Sequence, residues 1–317
     1  MRVQWLRQNY ASVARKVRPL QSVDPFFVDR FQSILTAFLY GYNSVLNSRR
    51  LEPDAVRQEL DGRFDEFYRG FAYEGLGMGL GARTLFLRSE RMRLEQAMNA
   101  VAPGYLYQYY VGLGWWLSIR YGFRQTGYRR FLRNLSPLYG PIVFDGVGFR
   151  TGLFRFGTNP GIVARFAEFG PFGQRVCYQG LGRCLWFLHE FNLQRVLQDV
   201  QRLPPERRGD TISGVGLAVA YSLFDDPLRA LELRRPMPAE LRPAFRQGLA
   251  FGWEARRLQT PGFAAKLEDI SSEAADTIHG YVRSVHQIRQ ELLDGGAGVR
   301  FYTDWLDGVR RRLANES

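Results

Sequence analysis

The sequence has few of the residues and motifs that most often identify an enzyme. It contains two cysteines, three histidines and only two lysines, Lys16 and Lys266. Neither lysine follows a glycine, which excludes a phosphate-binding loop of the Gly-Lys-Ser/Thr kind. No Cys-x-x-Cys, His-Glu-x-x-His or Gly-x-Ser-x-Gly spacing occurs. We therefore expect no bound metal and no cofactor.

The two cysteines are predicted to be small buried residues. Cys177 and Cys184 lie seven residues apart on one predicted helix, which separates their backbones by about 10 Å. That distance is too long for a disulfide bond.

Long apolar runs are also missing. Residues 31–48 and 96–119 carry no charge, but both stretches contain amide side chains, such as Gln32 and Gln96. Buried helices explain them better than membrane spans, so we do not expect an integral membrane protein. Residues 1–25 contain five basic residues and no continuous apolar core. They are interpreted as an N-terminal arm, not a signal peptide, and the protein is expected to be cytoplasmic.

Glycine is abundant and regularly placed. Gly112, Gly146, Gly180, Gly214 and Gly248 follow one another at a constant interval of 34 residues. Each opens a Gly-x-Gly motif, except that the last motif reads Gly-Leu-Ala. The period continues less strictly at Gly75 upstream and Gly280 downstream. A constant period of this length indicates a helical repeat, and about seven units are predicted over residues 53–295.

Proline has the same period as glycine. Pro103, Pro137, Pro171 and Pro205 each stand nine residues before the glycine of their unit. Because proline is tolerated only at the start of a helix, each is predicted to precede or begin a long helix that carries the glycines. We predict long helices over residues 172–188 and 211–224, followed by short helices over residues 193–203 and 228–233.

The predicted fold is all-α, built from helical hairpins of 34 residues in a solenoid of the tetratricopeptide kind. We expect one domain over residues 1–317, with residues 296–317 forming a C-terminal capping helix. A glycine inside a helix costs up to about 1 kcal/mol relative to alanine. The glycines are therefore predicted to let neighbouring helices approach backbone to backbone. A nucleotide-binding loop is the alternative for the dense run at Gly75–Gly81, but the sequence lacks the remainder of that fingerprint.

A row of mostly polar residues is predicted beside the glycines. The residue before each first glycine and the residue three after it lie on one helix face. These pairs are Glu74/Met78, Val111/Trp115, Asp145/Phe149, Gln179/Arg183, Ser213/Leu217, Gln247/Phe251 and His279/Arg283. The row either lines a ligand-binding inner surface or faces solvent.

Glu74 and Asp145 are the candidate catalytic residues, because a carboxylate in apolar surroundings has a raised pKa and would act as an acid or a base. The candidate ligand-binding residues are Tyr73, Tyr110, Trp115, Phe149, Gln179, Arg183 and Trp186.

Net charge limits the expected partners. The formal charge of +12 comes almost entirely from arginine, and it favours an acidic partner such as a carrier protein. Peripheral contact with an anionic membrane stays open. Nucleic acid is not expected, because Arg310–Arg312 is the only tight cluster and the other arginines are dispersed.

The glycine motifs lie in four longer segments, residues 71–80 (FAYEGLGMGL), 144–149 (FDGVGF), 179–187 (QGLGRCLWF) and 213–218 (SGVGLA). Together these segments resemble a bacterial family whose members occur in enediyne biosynthetic gene clusters. The resemblance covers roughly residues 25–300. It implies an accessory role in building or maturing an enediyne-type polyketide, without assigning a reaction.

Three functions follow as hypotheses. The first is an accessory protein of natural-product biosynthesis that binds an apolar polyene intermediate or the polyketide synthase that makes it. The second is an enzyme that acts on a polyene or polyyne chain through Glu74 or Asp145. The third is a protein-interaction scaffold. A closed pocket would favour a small ligand, whereas an open groove would favour a peptide or protein.

Overall fold

A computed structural model describes residues 4–46, 50–85, 88–296, 298 and 300–315. Every regular element in these residues is a helix, so the fold is all-α as predicted. The α-helices are α1 (Tyr10–Ala14), α2 (Pro25–Ser44), α3 (Pro53–Arg63), α4 (Glu66–Arg83), α5 (Arg88–Met92), α6 (Leu94–Val101), α7 (Leu106–Tyr121), α8 (Gln125–Leu132), α9 (Val143–Thr151), α10 (Gly170–Leu188), α11 (Leu193–Gln201), α12 (Pro205–Ser222), α13 (Pro227–Glu232), α14 (Arg242–Gln259), α15 (Phe263–Glu268), α16 (Ser272–Asp294) and α17 (Phe301–Arg312).

The periodic prolines lie at or before the starts of long helices. Pro171 and Pro205 occupy the first turns of α10 and α12, and Pro103 begins a short 3₁₀ turn that leads into α7. Pro137 stands six residues before α9, because the 3₁₀ turn Gly140–Ile142 comes between them. The fixed φ of proline suits a helix start and opposes a helix interior, which explains this placement.

Successive long helices pack side by side in chain order. The series runs α2, α4, α7, α9, α10, α12, α14, α16 and α17. The series bends back on itself, as two contacts show. Phe31 of α2 contacts Phe187 of α10, with ring centroids 5.9 Å apart. Arg256 of α14 likewise donates a 3.0 Å hydrogen bond to the carbonyl oxygen of Phe67 in α4. Helix α4 therefore lies across the interior from α10 and α14.

The first glycine of each motif lies against the backbone of the preceding long helix. A Cβ added there would meet, at 1.7–2.0 Å, the carbonyl oxygen of the residue just before the preceding motif. The pairs are Gly112 with Glu74, Gly146 with Val111, Gly180 with Asp145, Gly214 with Gln179, and Gly248 with Ser213. No side chain fits at such a distance, so only glycine allows this approach.

The second glycine makes the corresponding contact with the following long helix. Its added Cβ would meet, at 1.8–2.3 Å, a carbonyl oxygen three residues before the next motif. The pairs are Gly77 with Tyr109, Gly114 with Val143, Gly148 with Cys177, Gly182 with Thr211, and Gly216 with Phe245. Each motif thus places its helix in backbone contact with a neighbour on both sides.

The series of glycine contacts ends at α14. In α14 the second position of the motif is Ala250, and a Cβ on Gly280 of α16 would meet only the Arg283 side chain, at 3.8 Å. The expectation that Gly280 is a close-contact glycine is therefore wrong. Without a second glycine on α14, the backbones of α14 and α16 do not approach each other in the same way.

We predict opposite effects for two glycine substitutions. Gly214→Ala should destabilise the protein by about 1–3 kcal/mol or more, because its Cβ collides with the Gln179 carbonyl oxygen at 1.7 Å. Gly280→Ala is the matched control and should stabilise the protein by up to about 1 kcal/mol, because it gains helix propensity without a collision. Urea denaturation measures both changes, and equal midpoints would refute the close-contact interpretation.

Candidate functional site

Four side chains of the predicted row meet in the interior. Arg183 of α10 contacts Asp145 of α9 with an N–O distance of 2.5 Å, and it contacts Glu74 of α4 at 3.4 Å. The Gln179 amide, one turn before Arg183, donates to the other Asp145 oxygen at 3.1 Å. All four side chains are buried. Residues up to 109 positions apart in the chain thus form one charged cluster.

The glycine contacts explain why these side chains converge. Glu74, Asp145 and Gln179 each precede a first glycine, and their carbonyl oxygens lie against the next helix in the series. Because that contact recurs at the same helical position, the side chains leave their helices in equivalent directions. The curvature of the series then turns them towards a common interior.

The cluster contains one cation and two carboxylates. Burial raises the pKa of Glu74 to about 7, against the opposing effect of Arg183. Burial also raises the pKa of Asp145, but this carboxylate accepts hydrogen bonds from both Arg183 and Gln179. Asp145 is therefore the better stabilised anion, and Glu74 is the carboxyl group that takes up a proton first.

A first cavity, which we call the polar cavity, adjoins the cluster and has a volume of about 40 Å³. Its lining comes from seven α-helices of the packed series, including α17, and from the 3₁₀ turn Gly140–Ile142. The residues are Glu74, Tyr107, Gln108, Val111, Ile142, Asp145, Gln179, Arg183, Leu217, Tyr221, Phe251, Ala255 and Tyr302. The predicted row therefore faces the interior from Glu74 to Phe251, and the solvent-facing alternative is wrong for that part of the chain.

A second cavity, the aromatic cavity, also has a volume of about 40 Å³. It is lined by Phe31, Ile34, Leu35, Phe38, Phe71, Glu74, Trp115, Phe149, Leu153, Arg183 and Phe187. Glu74 and Arg183 are the two residues that line both cavities. Their ion pair is the polar boundary between a cavity with hydrogen-bonding groups and one that is almost entirely hydrocarbon.

Aromatic rings are packed around this boundary. The Trp115 ring lies 4.8 Å from Phe38 and 5.6 Å from Phe149, measured between ring centroids. The Arg183 guanidinium lies over Phe149 at 5.2 Å, within the range of a cation–π interaction. A π-helical turn at Gly152–Phe156 follows α9 and carries Leu153 into the aromatic cavity. Turns of this kind are frequent at functional sites.

Several buried polar atoms at the cavities lack a hydrogen-bond partner among the described residues. On the polar cavity these are Gln108 Oε1, Gln179 Oε1 and Arg183 Nε, and on the aromatic cavity the atom is Trp115 Nε1. The Trp115 side chain is close enough to the Glu74 carboxyl group to lower the pKa of Glu74. Buried polar groups are normally paired, so these atoms mark positions where water or a ligand would bind.

Three predicted ligand-binding residues line neither cavity. Tyr73 donates to Asp61 at 2.9 Å, and Trp186 donates through Nε1 to Ser222 at 2.9 Å. Tyr110 is fully buried; burial raises its pKa, and Glu95 of α6 raises it further, which places its hydroxyl towards α6. A step of one residue turns a helix by 100°, so Tyr73 and Glu74 lie on different faces.

Sequence reasoning missed four residues that give the polar cavity hydrogen-bonding side chains, Tyr107, Gln108, Tyr221 and Tyr302. The Tyr302 hydroxyl accepts a 3.1 Å hydrogen bond from Gln179. Tyr302 lies on α17, outside the periodic pattern, so no repeat position pointed to it. Gln108 was detectable, since it lies one turn before Gly112 on the same helix face.

The profile of a protein family described as "Protein of unknown function (DUF1702)" matches residues 1–311. The chain belongs to this family. Searches of curated proteins and of solved structures each found no match. The family assignment therefore adds no reaction, and the cavities of this member are the features that bear on its function.

The described part of the chain lacks two further features. No group of three or more His, Cys, Asp or Glu side chains there is arranged to hold a metal ion. In the same residues, no helix combines the length and the apolar character needed to span a bilayer.

The pKa of Glu74 predicts how stability depends on pH. Its folded-state pKa of about 7 exceeds the ordinary value of 4.5. The protonated form therefore stabilises the folded state fully below pH 4.5, and this contribution is lost as pH rises towards 7. Relative to wild type, Glu74→Gln should gain up to about 3 kcal/mol of unfolding free energy between pH 4.5 and pH 8. Urea denaturation of both proteins at the two pH values measures this change, and a constant difference would show that Glu74 does not titrate there.

Proposed function

We propose that this protein binds an apolar, conjugated molecule in its interior, with Glu74 and Arg183 at the centre of the binding site. The observation that carries the proposal is that these two residues line both cavities. A ligand lying across the boundary would have hydrocarbon in the aromatic cavity and polar atoms beside Gln108 and Gln179. Aromatic rings suit a flat unsaturated chain, and a few polar groups fix its position.

Ligand binding requires movement of side chains. Each cavity of about 40 Å³ has room for only a few water molecules. Ligand sites are usually several times larger, about 300–1,000 Å³. The Arg183–Glu74 contact at 3.4 Å is longer than the Arg183–Asp145 contact, so it is the natural place for the two cavities to join.

The buried row favours a small ligand over a protein scaffold. A scaffold of the solenoid kind would bind its partner through an open inner surface. Here Asp145, Gln179 and Gln247 are almost completely inaccessible to solvent. A molecule held inside the fold would meet Asp145 and Gln179, which line the polar cavity.

Sequence resemblance alone connects the proposed ligand with enediyne biosynthesis. An enediyne-type polyketide, or the polyene that precedes it, matches the conjugated and mostly apolar ligand that we propose. A synthase or an acidic carrier protein would then deliver it to this basic protein. We also propose that the helices form a solenoid of hairpin repeats, which the recurring glycine contacts support.

Binding is tested with methyl parinarate, a neutral conjugated tetraene whose fluorescence rises in apolar surroundings. Wild type should bind it, and Ile34→Phe should weaken binding about tenfold by filling the aromatic cavity, a change of about 1.4 kcal/mol. Leu228→Phe is the matched control, because Leu228 is exposed and lines neither cavity. Melting temperatures must show that both variants are folded. If wild type does not bind the probe, or if both variants bind like wild type, the proposal fails.

A second candidate function is proton transfer by Glu74, favoured by its pKa of about 7 next to the Arg183 guanidinium. The Glu74 carboxylate would remove a proton from the saturated ε-carbon at the end of a linear conjugated dienone. The C–H electron pair would move into the conjugated system, and the negative charge on the carbonyl oxygen would face Arg183. Return of the proton to another carbon would shift a double bond.

Deuterium uptake tests this chemistry separately from binding. A long-chain linear conjugated dienone incubated with wild type in D₂O should gain deuterium at its ε-carbon at pH 8, where most Glu74 is ionised. Glu74→Gln should bind methyl parinarate like wild type but leave the dienone unlabelled, because an amide does not accept the proton. Equal labelling by both proteins would remove Glu74 from the chemistry and leave the binding proposal standing.

A further inference from the structure

A surface groove adjoins the polar cavity and is much larger than it. The groove has a volume of about 530 Å³ and lies where the start of α7 meets α14 and α16. Its walls include the apolar side chains of Leu106 and Leu258 as well as charged groups. This combination suits an amphipathic molecule, and the volume lies within the usual range for ligand sites.

One side chain connects the groove with the interior. Tyr107 lines both the groove and the polar cavity. It is half-buried, whereas the next residue, Gln108, is buried inside the polar cavity. Movement of the Tyr107 ring would therefore join the groove to the cavity that contains Glu74.

The charges in the groove leave one cation without a carboxylate. Glu254 accepts hydrogen bonds from Arg257 and from His286, each at 2.8 Å, so its charge is compensated. Arg289 has no carboxylate within ion-pair distance among the described residues. Its Nε donates to the Tyr139 hydroxyl at 2.8 Å, and its guanidinium lies 5.9 Å from the centre of that ring. Tyr139 thus holds a half-buried guanidinium in place while leaving its charge available to a ligand.

We propose that the groove binds the anionic end of the ligand, a carboxylate or a phosphate, through Arg289. The apolar chain would pass Tyr107 and reach Glu74. This inference rests on the proposed interior binding site and specifies the class of molecule that the site takes, an amphipathic conjugated chain with a terminal oxyanion. Guanidinium groups bind both carboxylate and phosphate through paired, charge-assisted hydrogen bonds.

Parinaric acid and its methyl ester test this proposal, because they share one chain and differ in charge. At pH 8, Arg289→Gln should weaken binding of the acid about tenfold and change binding of the ester less than twofold. Arg283→Gln is the matched control, since it removes an exposed cation from the same helix outside the groove. It should leave both affinities unchanged.

The possible results separate this inference from the proposed function. If the ester binds wild type but Arg289→Gln affects acid and ester equally, or affects neither, the groove proposal is wrong and the interior site stands. If neither compound binds wild type, both proposals fail. Displacement of bound methyl parinarate by dodecanoate and by dodecyl phosphate distinguishes the two oxyanions. The tighter competitor should lose about tenfold in affinity with Arg289→Gln, and if neither competitor loses affinity, Arg289 does not bind the anion.

Discussion

Backbone contact between successive long helices is the constraint on which the rest of this structure depends. From α4 to α14, glycines lie against carbonyl oxygens of the neighbouring helix at distances that no Cβ tolerates. Helices in this contact pack closer than side chains would ordinarily allow, and their relative positions are fixed along and around the axis. Substituting any of these glycines forces the backbone to move, because a carbonyl oxygen has no alternative rotamer.

The same contacts determine where the charged cluster lies. Glu74, Asp145 and Gln179 supply carbonyl oxygens to the contacts and side chains to the interior. A buried cluster with one arginine and two carboxylates contributes little net stability to a fold, because burying the charges removes them from water. Apolar residues of similar volume often do as well or better, while loss of one ionic partner typically costs about 3–5 kcal/mol. Such a cluster is expected where a ligand is bound or transformed, because perturbed carboxylates in closed cavities are typical of ligand-binding and catalytic sites.

The groove, the polar cavity and the aromatic cavity follow one another from the surface inward. Tyr107 lies between the first two spaces, and the Glu74–Arg183 ion pair lies between the last two. Polarity changes along it, from the charged groove through hydrogen-bonding groups to hydrocarbon. A molecule with a charged end and an apolar conjugated chain has the same order of properties. The family assignment is silent on function, so this correspondence is the main support for the ligand class that we propose.

The sequence by itself determined the all-helical class, the starts of the long helices at or shortly after the periodic prolines, and the close-contact role of the motif glycines between Gly75 and Gly248. Each of these follows from local chemistry, since φ of proline and the absence of a glycine side chain act within one or two turns. The row that includes Glu74, Asp145, Gln179 and Arg183 was also visible, because helical periodicity places its members on equivalent faces. Only the tertiary structure decided that this row faces inward, that Arg183 pairs with residues 38 and 109 positions away, and that Tyr302 completes the cavity. The curvature of the helix series brings these residues together, and curvature is the sum of many packing angles that no single motif encodes. For the same reason Tyr73, Tyr110 and Trp186, which are aromatic and close to the motifs in sequence, lie outside the cavities.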